Sequence, residues 1–163
     1  LAGKNFNLSA FLPYRLAVLS ERVSRRLAVE YERLHGLSVA EWRVLVHLLR
    51  HEKVSIREIH TCVNLDKPRV SRAVARLEAA GLVDKIQDTA DARLVAISLT
   101  EKGLAALGDI LPKAQAIEAH LLECLSLREV QSFFTVMEKL HGVLDGDPKA
   151  RPRMPADVDG LRD

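Results

Sequence analysis

The chain has 163 residues, 48% of them apolar and 4% aromatic, with a net charge of +2. That length fits one domain, or one domain with helical extensions, around an aliphatic core, and so small a net charge leaves any nucleic-acid signal to local clusters. No apolar run approaches the ~18 residues of a membrane span, and the opening LAGKNFNLSA lacks the charged-then-apolar order of a secretory signal.

Cys62 and Cys124 can form a single pair and make no disulfide framework. A cytoplasmic protein without cofactor is the expectation.

A first helix is expected over roughly 9–34. Its stripe is Leu12, Leu16, Leu19, Val23, Leu27, Tyr31 and Leu34, spaced three or four apart, and His35-Gly36 terminates it. A serine followed three residues later by glutamate occurs at Ser38/Glu41, Ser55/Glu58 and Ser126/Glu129. Each pair is a capping box that satisfies free amides at a helix start, so helices are predicted to begin near 39, 56 and 127. The second helix runs to about 51 with Trp42, Leu45, Val46 and Leu49, and a short third covers about 56–63.

The fourth helix lies in NLDKPRVSRAVARLEAAGLV, residues 64–83. Asp66 is its N-cap, Pro68 sits in its first turn and Gly81 closes it. At ~100° per residue, Val70, Ala73, Val74 and Leu77 form one face. Arg69, Arg72 and Arg76 fall within about 60° of one another on a different face. The apolar face anchors the helix and the arginine face points outward.

Beyond it, Val95, Ile97 and Leu99 alternate with Ala96 and Ser98, the period of a half-buried strand. With the run before it, this strand makes a small antiparallel hairpin whose polar tip is Asp88 to Ala92. Thr100 caps a long helix to about Cys124, bent at Pro112. The last helix spans about 127–144, with Val130, Phe133, Phe134, Met137 and Leu140 expected inward. The Pro-rich remainder after Asp145 reads as a flexible tail.

Three helices followed by a hairpin is the order of a winged helix-turn-helix. The fold expected is mainly α with a small two-stranded β-wing. Residues 37–100 form the core, the helices of 1–36 and 101–144 dimerise, and 145–163 form the tail. The arginine face suits a DNA major groove, where the guanidinium fork matches the acceptors of a guanine edge. Lys67 and Ser71, near the helix start, suit phosphate oxygens. Whether Arg69 or Arg72 reads a base is left open, and a winged helix that docks protein without touching DNA is the alternative.

The segments LSVAEWRVL, LDKPRVSRAVARLEAAGLV and DTADARLVAISLTEKG resemble the MarR family of bacterial transcription regulators over roughly 37–103. The most specific part is Asp91-x-Arg93 at the hairpin tip, followed by Leu99, Thr100 and Gly103. The resemblance implies a ligand-responsive repressor, binding a pseudo-palindromic operator as a homodimer. Lys67, Pro68, Arg69, Ser71, Arg72 and Arg76 would face the major groove. Arg93, steadied by Asp91, would reach the minor groove, and Ser55 the DNA backbone. Ala92 stands where the family usually has a second basic residue, which removes one phosphate contact from the wing.

The family also implies a small aromatic or phenolic acid as effector. Tyr14, Arg15, Trp42 and His51 are the residues expected to line its cleft, with Arg15 as carboxylate partner. His47 and His51, four apart, have a metal-binding spacing, but no third ligand completes a set and no metal is expected. The two cysteines are expected to be buried, inert thiols. No Ser-His-Asp set, glycine-rich phosphate loop or carboxylate pair points to an enzyme.

Overall fold

The computed structural model describes residues 6–51, 54–63, 65–87 and 95–150. A 3-10 turn, Leu8–Ala10, leads into α1 (Leu12–His35). Then come α2 (Val39–Arg50), β1 (Val54–Ser55), α3 (Ile56–Cys62), α4 (Lys67–Ala79), β2 (Val83–Gln87), β3 (Val95–Leu99), α5 (Glu101–Leu122) and α6 (Leu127–Asp145). No helix among the described residues is long and apolar enough to cross a membrane.

The local chemistry sets these boundaries. All three capping boxes are closed: Ser38, Ser55 and Ser126 each accept the backbone N–H of the glutamate three residues on, and each glutamate reaches back to the serine N–H. Gly36 ends α1 with φ 64°, a left-handed conformation that L side chains resist. The helix α5 continues through Pro112.

The sheet is antiparallel with order β1-β3-β2, so the wing has three strands where two were expected. Val54 pairs with Ile97, and Lys85 faces Ile97 from the other side. Two residues carry no readable period, so β1 was hidden beside the cap at Ser55.

The core gathers Tyr31 from α1, Val44, Leu45 and Leu48 from α2, Ile59 from α3, Val70, Val74 and Leu77 from α4, Ile97 from β3, and Leu107 and Ile110 from α5. Trp42 packs at its edge, stacked on Tyr31 with ring centroids 5.5 Å apart. The entry to α5 is pinned to the α4–β2 turn. Thr100 donates its hydroxyl to the Gly81 carbonyl (2.8 Å) and its N–H to the Leu82 carbonyl (3.2 Å). A Cβ at Gly103 would lie 2.1 Å from that Leu82 oxygen, so only glycine lets the helix approach this closely.

The helix α6 departs from expectation. Phe133 and Phe134 are 44% and 46% exposed, Met137 is also exposed, and α6 buries no residue within the chain. The first half of the α1 stripe, Leu12, Leu16 and Leu19, is exposed as well. These faces are apolar, yet nothing among the described residues covers them.

Candidate nucleic-acid interface

Asp66 opens α4 by accepting the Arg69 N–H at 2.8 Å. Val70, Ala73, Val74 and Leu77 are buried, which is the apolar face read from the sequence. Lys67, Pro68, Arg69, Ser71, Arg72 and Arg76 are all exposed. The three arginines differ in direction. From the centre of the buried face, Arg72 is turned about 150° and Arg69 and Arg76 about 90–110°. Pro68 and Ala75 share the outermost ridge with Arg72, so no longer side chain overtops it there. Arg69 and Arg76 lie on the flank towards α2.

That flank borders a groove of about 340 Å³, lined by Arg69, Arg72 and Arg76 on one side and by Glu32, Ser38 and Glu41 on the other. Glu41 is buried. Its Oε2 accepts the Ser38 N–H at 2.6 Å, and its Oε1 lies 3.9 Å from Arg76 Nη1. Arg69 and Arg72 have no ion-pair partner among the described residues, so their guanidinium groups are available to an external anion. Sequence reading took Glu41 only as a cap; that it also faces Arg76 depends on how α2 and α4 cross, which a linear pattern does not carry.

Ser55 caps α3, accepting the Glu58 N–H at 3.2 Å. Asp91 and Arg93, like Ala92 and the rest of the hairpin tip, lie outside the described residues, as does the Cys62 side chain. Cys124, expected to be buried, is exposed.

The model of the MarR family matches residues 35–94, the segment that holds α2, β1, α3, α4 and β2 and stops short of β3. Over that segment the chain is similar to the MarR family. The helix-turn-helix transcriptional regulator BilQ of Clostridioides difficile is 29% identical over 101 residues, 62% of this chain and 66% of that relative. A MarR/EmrR family transcriptional regulator from Acinetobacter superposes with TM-score 0.77 at 26% identity, over 87% of this chain and 100% of that one. The MarR regulator Sco3205 from Streptomyces coelicolor, solved in complex with DNA, shares the fold with TM-score 0.75 at 21% identity, covering 89% and 92% of the two chains.

The MarR resemblance led to an effector cleft lined by Tyr14, Arg15, Trp42 and His51. Within one chain these four do not line one cavity. Tyr14 and Arg15 lie in the exposed first turn of α1, about 25 Å along the helix from Tyr31, on which Trp42 stacks. His51 instead lies against His47, ring centroids 4.8 Å apart. His47 is buried and its Nε2 has no hydrogen-bond partner among the described residues. Burial holds its pKa below the ordinary histidine value, His51 pushes the same way, and Glu58 opposes them. No group of three metal-ligating side chains occurs among the described residues.

Proposed function

We propose that this chain is a transcriptional regulator that binds a pseudo-palindromic operator as a homodimer, placing one α4 in each of two major grooves. The observation that carries this is α4 itself, one face fully buried, Arg72 exposed opposite it and Arg69 and Arg76 exposed on its flank. Arg72, the outermost, takes the base-reading role, since a guanidinium aimed straight into the groove can pair with both acceptors of a guanine. Arg69 and Arg76, beside the start of α2, take phosphates, together with Lys67 and Ser71. Ser55 and the wing residues Asp91 and Arg93 extend the contact along the backbone and into the minor groove.

The exposed faces of α1 and α6 support the dimer. Covering them with a second copy removes apolar surface from water at ~25 cal/mol per Å². The two-fold axis then sets the reading helices one DNA turn, about 34 Å, apart. An effector that favours a different separation of the two helices releases the DNA, and by linkage the operator weakens effector binding by the same factor.

The test is a selection of bound sequences from a random duplex pool. Two half-sites one helical turn apart are expected. Enrichment of nothing, with a flat response to salt, would instead favour a protein-docking module.

A further inference from the structure

Three consecutive carbonyls follow the last turn of α4, those of Ala80, Gly81 and Leu82, and each accepts a hydrogen bond from the start of α5. The Lys102 ammonium reaches the Ala80 oxygen at 2.7 Å and the Thr100 hydroxyl the Gly81 oxygen at 2.8 Å. The Thr100 N–H reaches the Leu82 oxygen at 3.2 Å. The N–H groups of Ala80, Gly81 and Leu82 turn back into α4, where they donate to the carbonyls of Arg76, Glu78 and Leu77 at 3.0, 2.9 and 2.9 Å. The end of the reading helix is therefore closed by its own chain on one side and held by α5 on the other.

Lys102 is the member that its own helix does not explain. It is exposed and takes the second position of α5, where a cation opposes the positive end of the helix dipole. The C-cap of α4 suits the same charge, because the last carbonyls of a helix form its negative end. Lys102 has no carboxylate partner among the described residues, and the Ala80 carbonyl is its acceptor.

The arrangement is mechanical as well as electrostatic. Both Thr100 bonds come from one residue onto neighbouring carbonyls, so alone they act as a hinge. Lys102 bonds away from that hinge and resists rotation about it. Gly103 lets the two segments touch at the Leu82 oxygen but adds no bond there. A second lysine, Lys85 of β2, holds the same end of α4 by pairing with Glu78. At the other end of α4, Asp66 caps the helix from within its own segment.

We propose that Lys102 is a positioning residue: it sets the angle between the reading helix and α5 and touches no DNA itself. The helix α5 continues for 22 residues from this joint, so the angle fixed here places α4 relative to the two-fold axis. That consequence for paired half-sites rests on the dimeric, DNA-binding reading; the tie between Lys102 and α4 does not.

The test compares the full chain with Lys102→Met and Lys102→Arg. Methionine keeps an unbranched, helix-compatible stem and removes the unfavourable charge from the start of α5. Arginine is long enough to reach the same carbonyl. Hydrogen exchange without DNA decides the tie. The Gly81 and Leu82 amides should exchange at least about threefold faster in Lys102→Met, at an unchanged melting temperature, and at the parent's rate in Lys102→Arg. Unchanged exchange in Lys102→Met, or a fall in melting temperature that accounts for the faster exchange, overturns the proposal.

Operator binding measures the positioning. One base pair inserted between the half-sites displaces them by ~3.4 Å and turns one against the other by about 35°. The affinity lost on this insertion should shrink at least about threefold in Lys102→Met and return in Lys102→Arg, with single half-site affinity and salt slope at the parent's values. An unchanged loss overturns the proposal. So does a salt slope lowered by about 1 in Lys102→Met, which would make Lys102 a phosphate contact. A parent that binds no duplex would remove the DNA-binding reading, and the exchange rates would still decide the tie.

Discussion

Glu41 holds the start of α2 and the arginine row of α4 with one carboxylate: Oε2 accepts the Ser38 N–H at 2.6 Å while Oε1 faces Arg76 Nη1 at 3.9 Å. The glutamate side chain is 8% exposed and the arginine 74%. The buried partner is fixed by its cap, so the exposed one is drawn to the α2 side of the reading helix. Arg72 has no such tether.

This difference separates the two arginines. Arg72→Ala should cost ~1–3 kcal/mol on the preferred site and relax the preference at one base pair. Arg76→Ala should weaken all duplexes alike and reduce the salt slope by about 1. Glutamine retains the capping-box geometry, so Glu41→Gln removes the charge beside Arg76 and little else. Its expected effect is tighter non-specific binding and a smaller ratio of specific to non-specific affinity. Fluorescence anisotropy on the selected site and its single-base variants, at several salt concentrations, checks all three.

Two glycines of α5 should respond in opposite ways. Gly103→Ala places a Cβ 2.1 Å from the Leu82 carbonyl oxygen, where backbone must move, and should cost on the order of 1–3 kcal/mol. A Cβ at Gly108 meets nothing within 4 Å, and Gly108→Ala should stabilise by roughly 0.5–1 kcal/mol through helix propensity. Urea midpoints of the two variants and the parent give the comparison.

The buried imidazole of His47 makes stability depend on pH. Its folded-state pKa is held below the unfolded value by burial and by His51, with Glu58 opposing. The unfolded chain therefore takes the proton first. The contribution is complete above the ordinary value of about 6.5 and is lost as pH falls through it towards the lower folded value. His47→Leu removes both the titration and the unpartnered Nε2. Melting temperatures between pH 7.5 and 5.5 should fall less steeply for this variant than for the parent.

The exposed phenylalanines of α6 test the dimer. Phe133→Glu with Phe134→Glu puts two charges on a face that the described residues leave uncovered. The expected outcome is a folded monomer by analytical ultracentrifugation, with much weaker binding to a two-half-site duplex and little change on a single half-site. A variant that remains dimeric would place the interface elsewhere.

The difference between α4 and α6 shows what a sequence pattern can carry. Val70, Ala73, Val74 and Leu77 were legible because their partners are in the same chain, so period and burial coincide. Phe133, Phe134 and Met137 show the same kind of period, yet they are exposed, because periodicity marks a face that seeks cover without saying whose. The caps at Ser38, Ser55 and Ser126 are local chemistry and were read directly. The strand β1, the 3.9 Å approach of Glu41 to Arg76 and the bond from Lys102 to the Ala80 carbonyl all arise from elements distant in the chain meeting in space, and no local spacing encodes them.

If the arginine face of α4 grips double-stranded DNA, duplex affinity must fall steeply with salt. Titrating the parent and the Arg69→Ala/Arg72→Ala/Arg76→Ala variant onto the selected duplex, over a range of salt, should give a steep linear fall of log affinity with log salt for the parent. The variant should bind more weakly, with a clearly shallower slope. A parent without salt dependence, or a triple variant that binds like the parent, would contradict the account.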